Sequence, residues 1–153
     1  MTPAVILGVD PGKTGAIAAV DATTGVLVWV EDMPHDVNGA LIRELLLNEH
    51  AIGAWVEQVH AMPRQGVSST FAFGVAYGKV LGALTALLVP VHHVTPATWK
   101  KAMRVTADKG TSRTRAVDLF PTHAGTFARV KDDGRAEAAL IARYGWEQRG
   151  VWL

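Results

Sequence analysis

The sequence predicts a single α/β domain, over residues 1–153, built on a mixed five-stranded sheet flanked by helices. Three apolar segments joined by short turns open the chain, which is typical of an antiparallel meander. Helical and strand-like segments then alternate, and this order is typical of parallel strands connected by helices. The chain is 49% hydrophobic, which is sufficient for one core without disulfides or a structural metal.

The first half of the chain supplies four of the predicted strands. The first three are rich in β-branched residues, and the segment Asp21-Ala22-Thr23-Thr24-Gly25 has the composition of a turn between two of them. A segment with apolar residues at helical spacing comes next, followed by a short apolar strand. The predicted strands cover residues 3–9, 15–20, 26–30 and 52–56, and the predicted helix covers residues 37–47.

The second half of the chain is mainly helical. A long apolar helix is predicted over residues 68–88, because Ser68-Ser69-Thr70 offers capping groups and no proline interrupts it. A strand follows over residues 90–94. Thr95-Pro96 then marks a helix start, with threonine as the cap and proline in the first turn. A short helix over 111–120 stops at Pro121, and a last helix begins near Asp132 and continues to about residue 144.

Composition limits the function classes. The chain has no cysteine, so it can form neither a disulfide framework nor a thiolate zinc site. We find neither a charged leader nor an apolar run of about 18 residues, so we expect no signal peptide, no spanning helix and no membrane partner. A cytoplasmic protein is expected.

Basic residues are concentrated in one stretch, although the net charge of the whole chain is only +1. Between residues 100 and 115, six basic residues accompany one acid, Asp108. They are Lys100, Lys101, Arg104, Lys109, Arg113 and Arg115. The stretch is either a cationic surface for phosphate groups or an ordinary solvated helix face.

Three glycines recur every fourth residue in the long helix, at Gly74, Gly78 and Gly82. They form a stripe without side chains on one face, and each costs the helix about 1 kcal/mol relative to alanine. Something must therefore approach this face closely. Either the domain's own sheet or a helix of a second subunit fits.

Four carboxylates lie where strands end or a helix begins. Asp10 and Glu57 each follow an apolar strand, while Asp133 and Glu137 are four residues apart and so share one helix face. Carboxylate sites suit Mg²⁺ or Mn²⁺, and two such ions can promote phosphodiester hydrolysis. Taken singly, each acid also fits a turn, a helix cap or an ion pair.

The motifs resemble those of the RuvC-like Holliday-junction resolvases, which have a ribonuclease H-like fold, and the short phage-type members in particular. The matching motifs occur in the family's order between about residues 5 and 145. They are Leu7-Gly8-Val9-Asp10-Pro11-Gly12, Val56-Glu57-Gln58-Val59, Phe73-Gly74-Val75-Ala76-Tyr77-Gly78, Val94-Thr95-Pro96 with Trp99-Lys100, and Asp132-Asp133-Gly134-Arg135-Ala136-Glu137-Ala138. The resemblance implies a homodimer that binds four-way DNA junctions and nicks two strands symmetrically, using two Mg²⁺ or Mn²⁺ ions per active site.

The resemblance also assigns roles to individual acids. Asp10 is the first-strand acid, Glu57 the second, and Glu137 stands where many relatives have an aspartate. The family often spaces its last two acids by three residues, but Gly134 occupies that place here. We therefore assign Asp133, which shares a face with Glu137, as the fourth metal ligand, with Asp132 as its substitute.

The resemblance further places a DNA-binding surface around these acids. Lys100 and Lys109 fall near basic residues that relatives use for phosphate contact or transition-state charge, so Lys109 is also a catalytic candidate. The other basic residues of the stretch, Lys101, Arg104, Arg113 and Arg115, extend the same track. His60 stands where relatives carry a stacking aromatic residue, and Phe73 is a second candidate for that role.

Two other classes of function fit parts of the sequence. The segment 10–15, Asp-Pro-Gly-Lys-Thr-Gly, also resembles the phosphate-binding hairpin of sugar kinases and actin-like ATPases, but those proteins need two lobes and this chain supplies one. A nuclease acting on other branched or hybrid substrates and a junction-binding module without catalysis are the closer alternatives. The acids favour catalysis over the binding module.

Overall fold

The computed structural model describes residues 2–34, 43, 44 and 46–149. Its five strands are β1 (Ala4–Asp10), β2 (Ala16–Asp21), β3 (Leu27–Asp32), β4 (His50–Glu57) and β5 (Val91–Val94). They form one sheet in the order β3-β2-β1-β4-β5. β1, β2 and β3 pair antiparallel, whereas β4 pairs parallel with both β1 and β5. The predicted mixed sheet, a meander followed by parallel strands, is confirmed.

Four helices are complete within the described residues: α1 (Val67–Ala86), α2 (Pro96–Met103), α3 (Lys109–Leu119) and α4 (Asp133–Gln148). Short 3-10 segments at Pro121–Phe127 and Val130–Asp132 lead into α4. The predicted cap of α2 forms, because the Thr95 side chain accepts a hydrogen bond from the Thr98 N–H at 3.3 Å. Most of the helix predicted over residues 37–47 lies outside the described residues.

Apolar side chains cover both faces of the sheet. On one face, the strands pack against α2, α3 and α4 around Trp55, Trp99 and Phe127. On the other face, Leu7 and Val9 belong to a cluster that includes residues 80, 83 and 84 of α1. The sheet is thus the middle layer, and α4 crosses the central strand β1 directly.

Close backbone contacts set the position of α4. A side chain at Gly8 of β1 would overlap the backbone of Ala138 and Ala142, and one at Gly134 would overlap the carbonyl of Thr14. Only glycine therefore lets the start of α4 lie against the turn between β1 and β2. This contact explains why Gly134 stands where the resemblance expects an acid, since a larger residue would push the turn away from α4.

Most of the surface of α1 is exposed. Its inner face buries Val80, Ala83 and Leu84, while Phe71 on the outer face is 73% exposed. No described atom outside the helix's local backbone lies within 4 Å of where a side chain at Gly74, Gly78 or Gly82 would begin. Packing of this glycine stripe against the domain's own sheet, one of the two readings of the sequence, is therefore wrong for the described part of the chain.

By length and composition, α1 is also able to cross a membrane, although we expected no spanning helix. It is the one helix among the described residues that meets this criterion. The criterion is weak evidence because helices of soluble proteins meet it too. In this structure α1 lies on the sheet of a folded domain and carries Tyr77 and Lys79 in its middle, so the absence of a membrane partner stays our prediction.

Candidate active site

The first two acids lie side by side at the carboxyl ends of two adjacent strands. The parallel register of β1 and β4 pairs Val9 with Val56, which brings the next residues, Asp10 and Glu57, to the same end of adjacent strands. The turn after β1 holds Asp10 in place, because the Gly12 N–H donates a hydrogen bond of 3.1 Å to its Oδ1. The two strand-end acids are thus placed by sheet pairing and not by sequence proximity.

The N-terminal part of α4 adds two further acids at these strand ends. Glu137 is buried, with 7% of its surface exposed, and it lies close enough to Asp10 for the charge of Asp10 to raise its pKa. Asp133, one turn earlier, is half-buried and close enough to act on the charge of Asp10. The close packing of α4 on Gly8 and on the β1–β2 turn is what brings the helix acids to the strand acids.

The carboxylates raise one another's proton affinity. Burial, and then the charge of Asp10, raise the pKa of Glu137 to about 7. Burial also raises the pKa of Asp10 and of Glu57 above their ordinary values. Burial disfavours the charged form of an acid, and a neighbouring negative charge adds to the effect. Asp10 and Glu137 therefore hold their protons more tightly than isolated carboxyl groups do.

Two lysines reach into the acid cluster, which we define as Asp10, Glu57, Asp133 and Glu137. Lys109, the first residue of α3, has its Nζ 2.8 Å from Asp133 Oδ2, and this hydrogen bond raises the pKa of Lys109. Lys100 on α2 has its Nζ 4.0 Å from Glu137 Oε1. Four carboxylates against two ammonium groups leave the ionised cluster negative.

Asp132 is placed outside the cluster. Its carboxylate is 1% exposed and accepts hydrogen bonds from the Arg129 backbone and guanidinium, both at 2.8 Å at their shortest. These bonds lower the pKa of Asp132. Arg135 Nη1 lies 3.7 Å away on its other side. Because Asp132 is committed to these arginines, the structure favours Asp133 over its neighbour as the fourth acid.

A tryptophan that the sequence analysis gave no role also contacts the cluster. The Trp99 indole N–H donates a hydrogen bond of 2.7 Å to Glu57 Oε2. Trp99 is fully buried, in the first turns of α2. In the sequence, only the position of Trp99 directly before Lys100 in a capped helix pointed to a role in the site. The contact itself joins residues 42 positions apart, so it became visible only in the folded structure.

The donor set of the acid cluster fits a hard divalent cation. All four side chains offer carboxylate oxygens, which Mg²⁺ and Mn²⁺ prefer, and an added cation would offset the negative charge. Among the described residues, however, no three acid, histidine or cysteine side chains converge closely enough to hold an ion in their present conformations. Asp133 is turned to Lys109, so ligation by all four requires rotation of the Asp133 side chain.

The remaining basic residues lie on α2, at its C-terminal cap and on α3, the two helices that also carry Lys100 and Lys109. Arg104, Arg113 and Arg115 line a polar groove beside α3. Arg115 Nε donates to the Met103 carbonyl at 2.9 Å, and Arg113 Nη1 donates to that of Ala128 at 3.2 Å. These backbone bonds orient the two guanidinium groups. Lys101 is exposed on α2.

The two aromatic candidates have different surroundings. His60 is exposed in the loop after β4, three residues beyond Glu57. Phe73 is half-buried on α1, where its ring stacks on Tyr77 with 6.4 Å between centroids. Tyr77 in turn hydrogen-bonds to His93 Nδ1 at 3.1 Å. His60 is therefore the more accessible of the two for stacking on a base, and Phe73 contributes to the packing of α1.

Solved structures share this architecture over nearly the whole chain, although no protein-family model and no curated protein sequence matches it. RuvC of Thermus thermophilus in complex with a Holliday junction superposes with a TM-score of 0.72 at 21% identity, covering 95% of this chain and 96% of that one. The yeast mitochondrial Holliday junction resolvase Ydc2 gives 0.59 at 16% identity, with 92% and 76% covered.

The fowlpox virus Holliday junction resolvase is similar as well, with a TM-score of 0.54 at 15% identity and with 97% and 99% of the two chains covered. At sequence identities this low, structural similarity is evidence for a shared architecture and not for shared chemistry. The strand order and the mixed pairing of the sheet agree with these neighbours. The chain has the ribonuclease H-like fold of the RuvC-type Holliday junction resolvases.

Proposed function

We propose that this protein is a metal-dependent, structure-selective DNA endonuclease that resolves four-way junctions by paired, symmetric nicks. The observation that carries the proposal is the acid cluster, in which two adjacent strand ends and the buried start of α4 bring Asp10, Glu57 and Glu137 together. Clustering of buried like charges is unfavourable without a cation, so it has little value for stability. A fold shared with junction resolvases supports DNA as the substrate.

The acids of the cluster and the two lysines have different proposed roles in phosphodiester hydrolysis. We propose Asp10, Glu57, Asp133 and Glu137 as ligands of two Mg²⁺ or Mn²⁺ ions, which would activate a water molecule and stabilise the leaving oxygen. Lys109 and Lys100 lie at this cluster and attract the scissile phosphate. Asp133, if it ligated a cation, would release Lys109, whose ammonium group would then be available to neutralise charge on the phosphate.

A panel of labelled substrates tests this function. We expect the purified protein, with Mg²⁺ or Mn²⁺, to cut a synthetic four-way junction at paired, symmetric positions and faster than flaps, forks or RNA–DNA hybrids. Faster cleavage of hybrids or flaps would identify a ribonuclease H-like nuclease with another substrate. Tight junction binding without any cleavage would identify a binding module and would contradict the assignment of an enzyme.

Lys109→Ala should weaken junction binding and reduce cleavage. A phosphate contact releases counterions, so loss of one contact lowers the slope of log affinity against log salt by about 1. Junction affinity in Ca²⁺ between low and moderate salt measures this slope. Arg143→Ala is the control, because Arg143 pairs with Glu147 on α4, more than one turn beyond the acid cluster. Equal slopes for wild type and Lys109→Ala would show that Lys109 makes no phosphate contact.

The exposed face of α1 supports a homodimer, which paired nicking requires. Gly74, Gly78 and Gly82 let a second backbone come close, and Phe71 and Val75 beside them expose apolar surface. Exposed apolar area next to a small-residue stripe is typical of a helix that packs against another helix. We propose that the occupant is α1 of a second copy.

Gly78→Leu should convert the dimer into a folded monomer, because the added side chain projects from the face that meets the partner. Sedimentation velocity gives the oligomeric state, and circular dichroism reports folding. Ala76→Leu is the matched control, since two residues along a helix correspond to a rotation of about 200° and Ala76 is exposed on another side. An unchanged dimer for Gly78→Leu would exclude this face as the interface.

A further inference from the structure

Trp99 lies beneath the acid cluster and makes one polar contact there. Its side chain is fully buried among the core residues between the sheet and α2, α3 and α4. Its indole N–H points to Glu57 and donates a hydrogen bond of 2.7 Å to Oε2. A short bond from a neutral donor to a carboxylate is among the stronger hydrogen bonds in proteins. The fold therefore places a rigid donor directly behind the second-strand acid.

The hydrogen bond restricts the conformation of Glu57. A glutamate side chain has three rotatable bonds, and at the half-buried end of β4 it would otherwise sample several rotamers. With Oε2 held by an indole that itself cannot move in the packed core, the carboxylate has a fixed position, and Oε1 is left for another ligand. Metal-binding carboxylates commonly receive such support from a second hydrogen-bonding group.

The same tryptophan also supports a lysine of the site. Lys100 Nζ lies 5.5 Å from the centre of the Trp99 ring, within the range of a cation–π interaction, and 4.0 Å from Glu137 Oε1. One buried ring thus contacts both Glu57 and the lysine next to Glu137. A substitution at Trp99 should therefore affect both Glu57 and Lys100.

We infer that Trp99 is a positioning residue for the metal centre, holding Glu57 by its indole N–H and Lys100 by its ring face. This inference rests on the proposed nuclease function, because it assigns Trp99 to the same site. It makes the indole N–H, and not only the volume of the ring, necessary for metal binding. A tryptophan with a purely structural role would not require the N–H.

Two other tryptophans provide matched comparisons. The indole nitrogens of Trp29 and Trp146 are buried but have no hydrogen-bond partner within the described part of the chain. Trp29 on β3 packs against the opposite face of the sheet from Trp99. Trp29→Phe therefore removes ring volume and an N–H that donates to no described group, whereas Trp99→Phe removes similar volume together with the bond to Glu57.

The test measures Mn²⁺ binding to the DNA-free protein by electron paramagnetic resonance, and the kcat and KM of junction cleavage. We expect Trp99→Phe to weaken Mn²⁺ binding and to lower kcat, each by about 10–100-fold, as is usual when a group that supports a metal ligand is lost. KM should change less than about threefold, because phenylalanine keeps a ring face beside Lys100 and Lys109 does not contact Trp99. Trp29→Phe should match wild type in both measurements.

A second substitution separates the N–H from packing. Replacing Trp99 with 3-benzothienylalanine exchanges the N–H for sulfur while preserving the shape of the ring, so it remains informative if Trp99→Phe fails to fold. This variant should show the same loss of Mn²⁺ affinity as Trp99→Phe. Wild-type Mn²⁺ affinity in the benzothienyl protein would overturn the inference, as would equal losses in Trp99→Phe and Trp29→Phe.

The outcomes distinguish this inference from the proposed function. If the wild type binds Mn²⁺ and Trp99→Phe binds it more weakly, the inference holds for the metal centre even when no junction is cut, and only the substrate assignment fails. If the wild type cleaves junctions and Trp99→Phe cleaves equally well with unchanged Mn²⁺ binding, the function stands and the positioning role is wrong.

Discussion

Asp10→Asn should reduce cleavage of a four-way junction by at least about 10³-fold, which corresponds to roughly 4 kcal/mol of lost transition-state stabilisation. Asp10 lies at the centre of the acid cluster, and an amide is a neutral, weaker ligand for a hard divalent cation. The fold should persist, because the asparagine carbonyl can still accept the hydrogen bond from the Gly12 N–H. Initial rates with Mg²⁺ or Mn²⁺ give the ratio.

Junction binding supplies the internal control for this substitution. Affinity measured in Ca²⁺ should stay close to wild type or increase, since the substitution removes a negative charge near the phosphates. Asp21→Asn is a matched variant, because Asp21 is an acid that ends β2 at the opposite end of the sheet, where it accepts hydrogen bonds from Thr23 and Thr24. Full cleavage by Asp10→Asn would remove the acid cluster from the chemistry.

Glu137→Gln should stabilise the metal-free protein at pH 8 while abolishing metal-dependent cleavage. The pKa of Glu137 is raised to about 7 by burial and by Asp10, so at pH 8 its ionised form is unfavourable in the folded protein. A neutral amide of the same shape avoids that cost and can donate a hydrogen bond to Asp10. We expect a gain in unfolding free energy on the order of 1–3 kcal/mol.

The pH dependence gives the sign of this effect. A raised pKa in the folded state means that the protonated carboxyl contributes stability below pH 4.5, its ordinary pKa, and that this contribution is lost as pH rises to about 7. The stability difference between Glu137→Gln and wild type should therefore grow between pH 5 and pH 8. Urea unfolding in the presence of EDTA at these two pH values measures it.

Metal ions should reverse this ranking. Mn²⁺ that binds only the folded state stabilises wild type by mass action, and Glu137→Gln lacks one of the proposed ligands, so it should gain less. Melting temperatures at pH 8 with and without Mn²⁺ compare the two proteins. A variant that is no more stable than wild type in EDTA would contradict a charge conflict at Glu137. An equal gain from Mn²⁺ would contradict its role as a metal ligand.

Much of the fold was predictable because its signals are local. Turn residues after β2, the threonine cap of α2 and the spacing of apolar residues act over a few positions, and they led to the correct order and type of the described elements. The antiparallel meander followed by alternating helices and strands predicted a mixed sheet, which the structure confirms. Position 134 was different, because its need for glycine arises from the carbonyl of Thr14 across the fold.

In the candidate site too, some features followed from local sequence signals and others depended on contacts made across the fold. The proximity of Asp10 and Glu57 followed from two strands that end in acids, since parallel neighbours bring their carboxyl ends together. The preference for Asp133 over Asp132 rested on helix spacing alone, and the physical reason came from the structure, in which the arginines at 129 and 135 engage Asp132. The exposed face of the glycine stripe was likewise open until the packing of α1 was known.

The sequence by itself determined the α/β class, the helix and strand order, the strand-end acids and the basic stretch beside them, since each is encoded in residues that are close in the chain. Only the tertiary structure decided that α4 delivers Glu137 to Asp10, that Lys109 pairs with Asp133, and that Trp99 supports Glu57. The physical reason is that these contacts join separate elements, and their energies depend on burial and distance that exist only after the sheet and helices have packed.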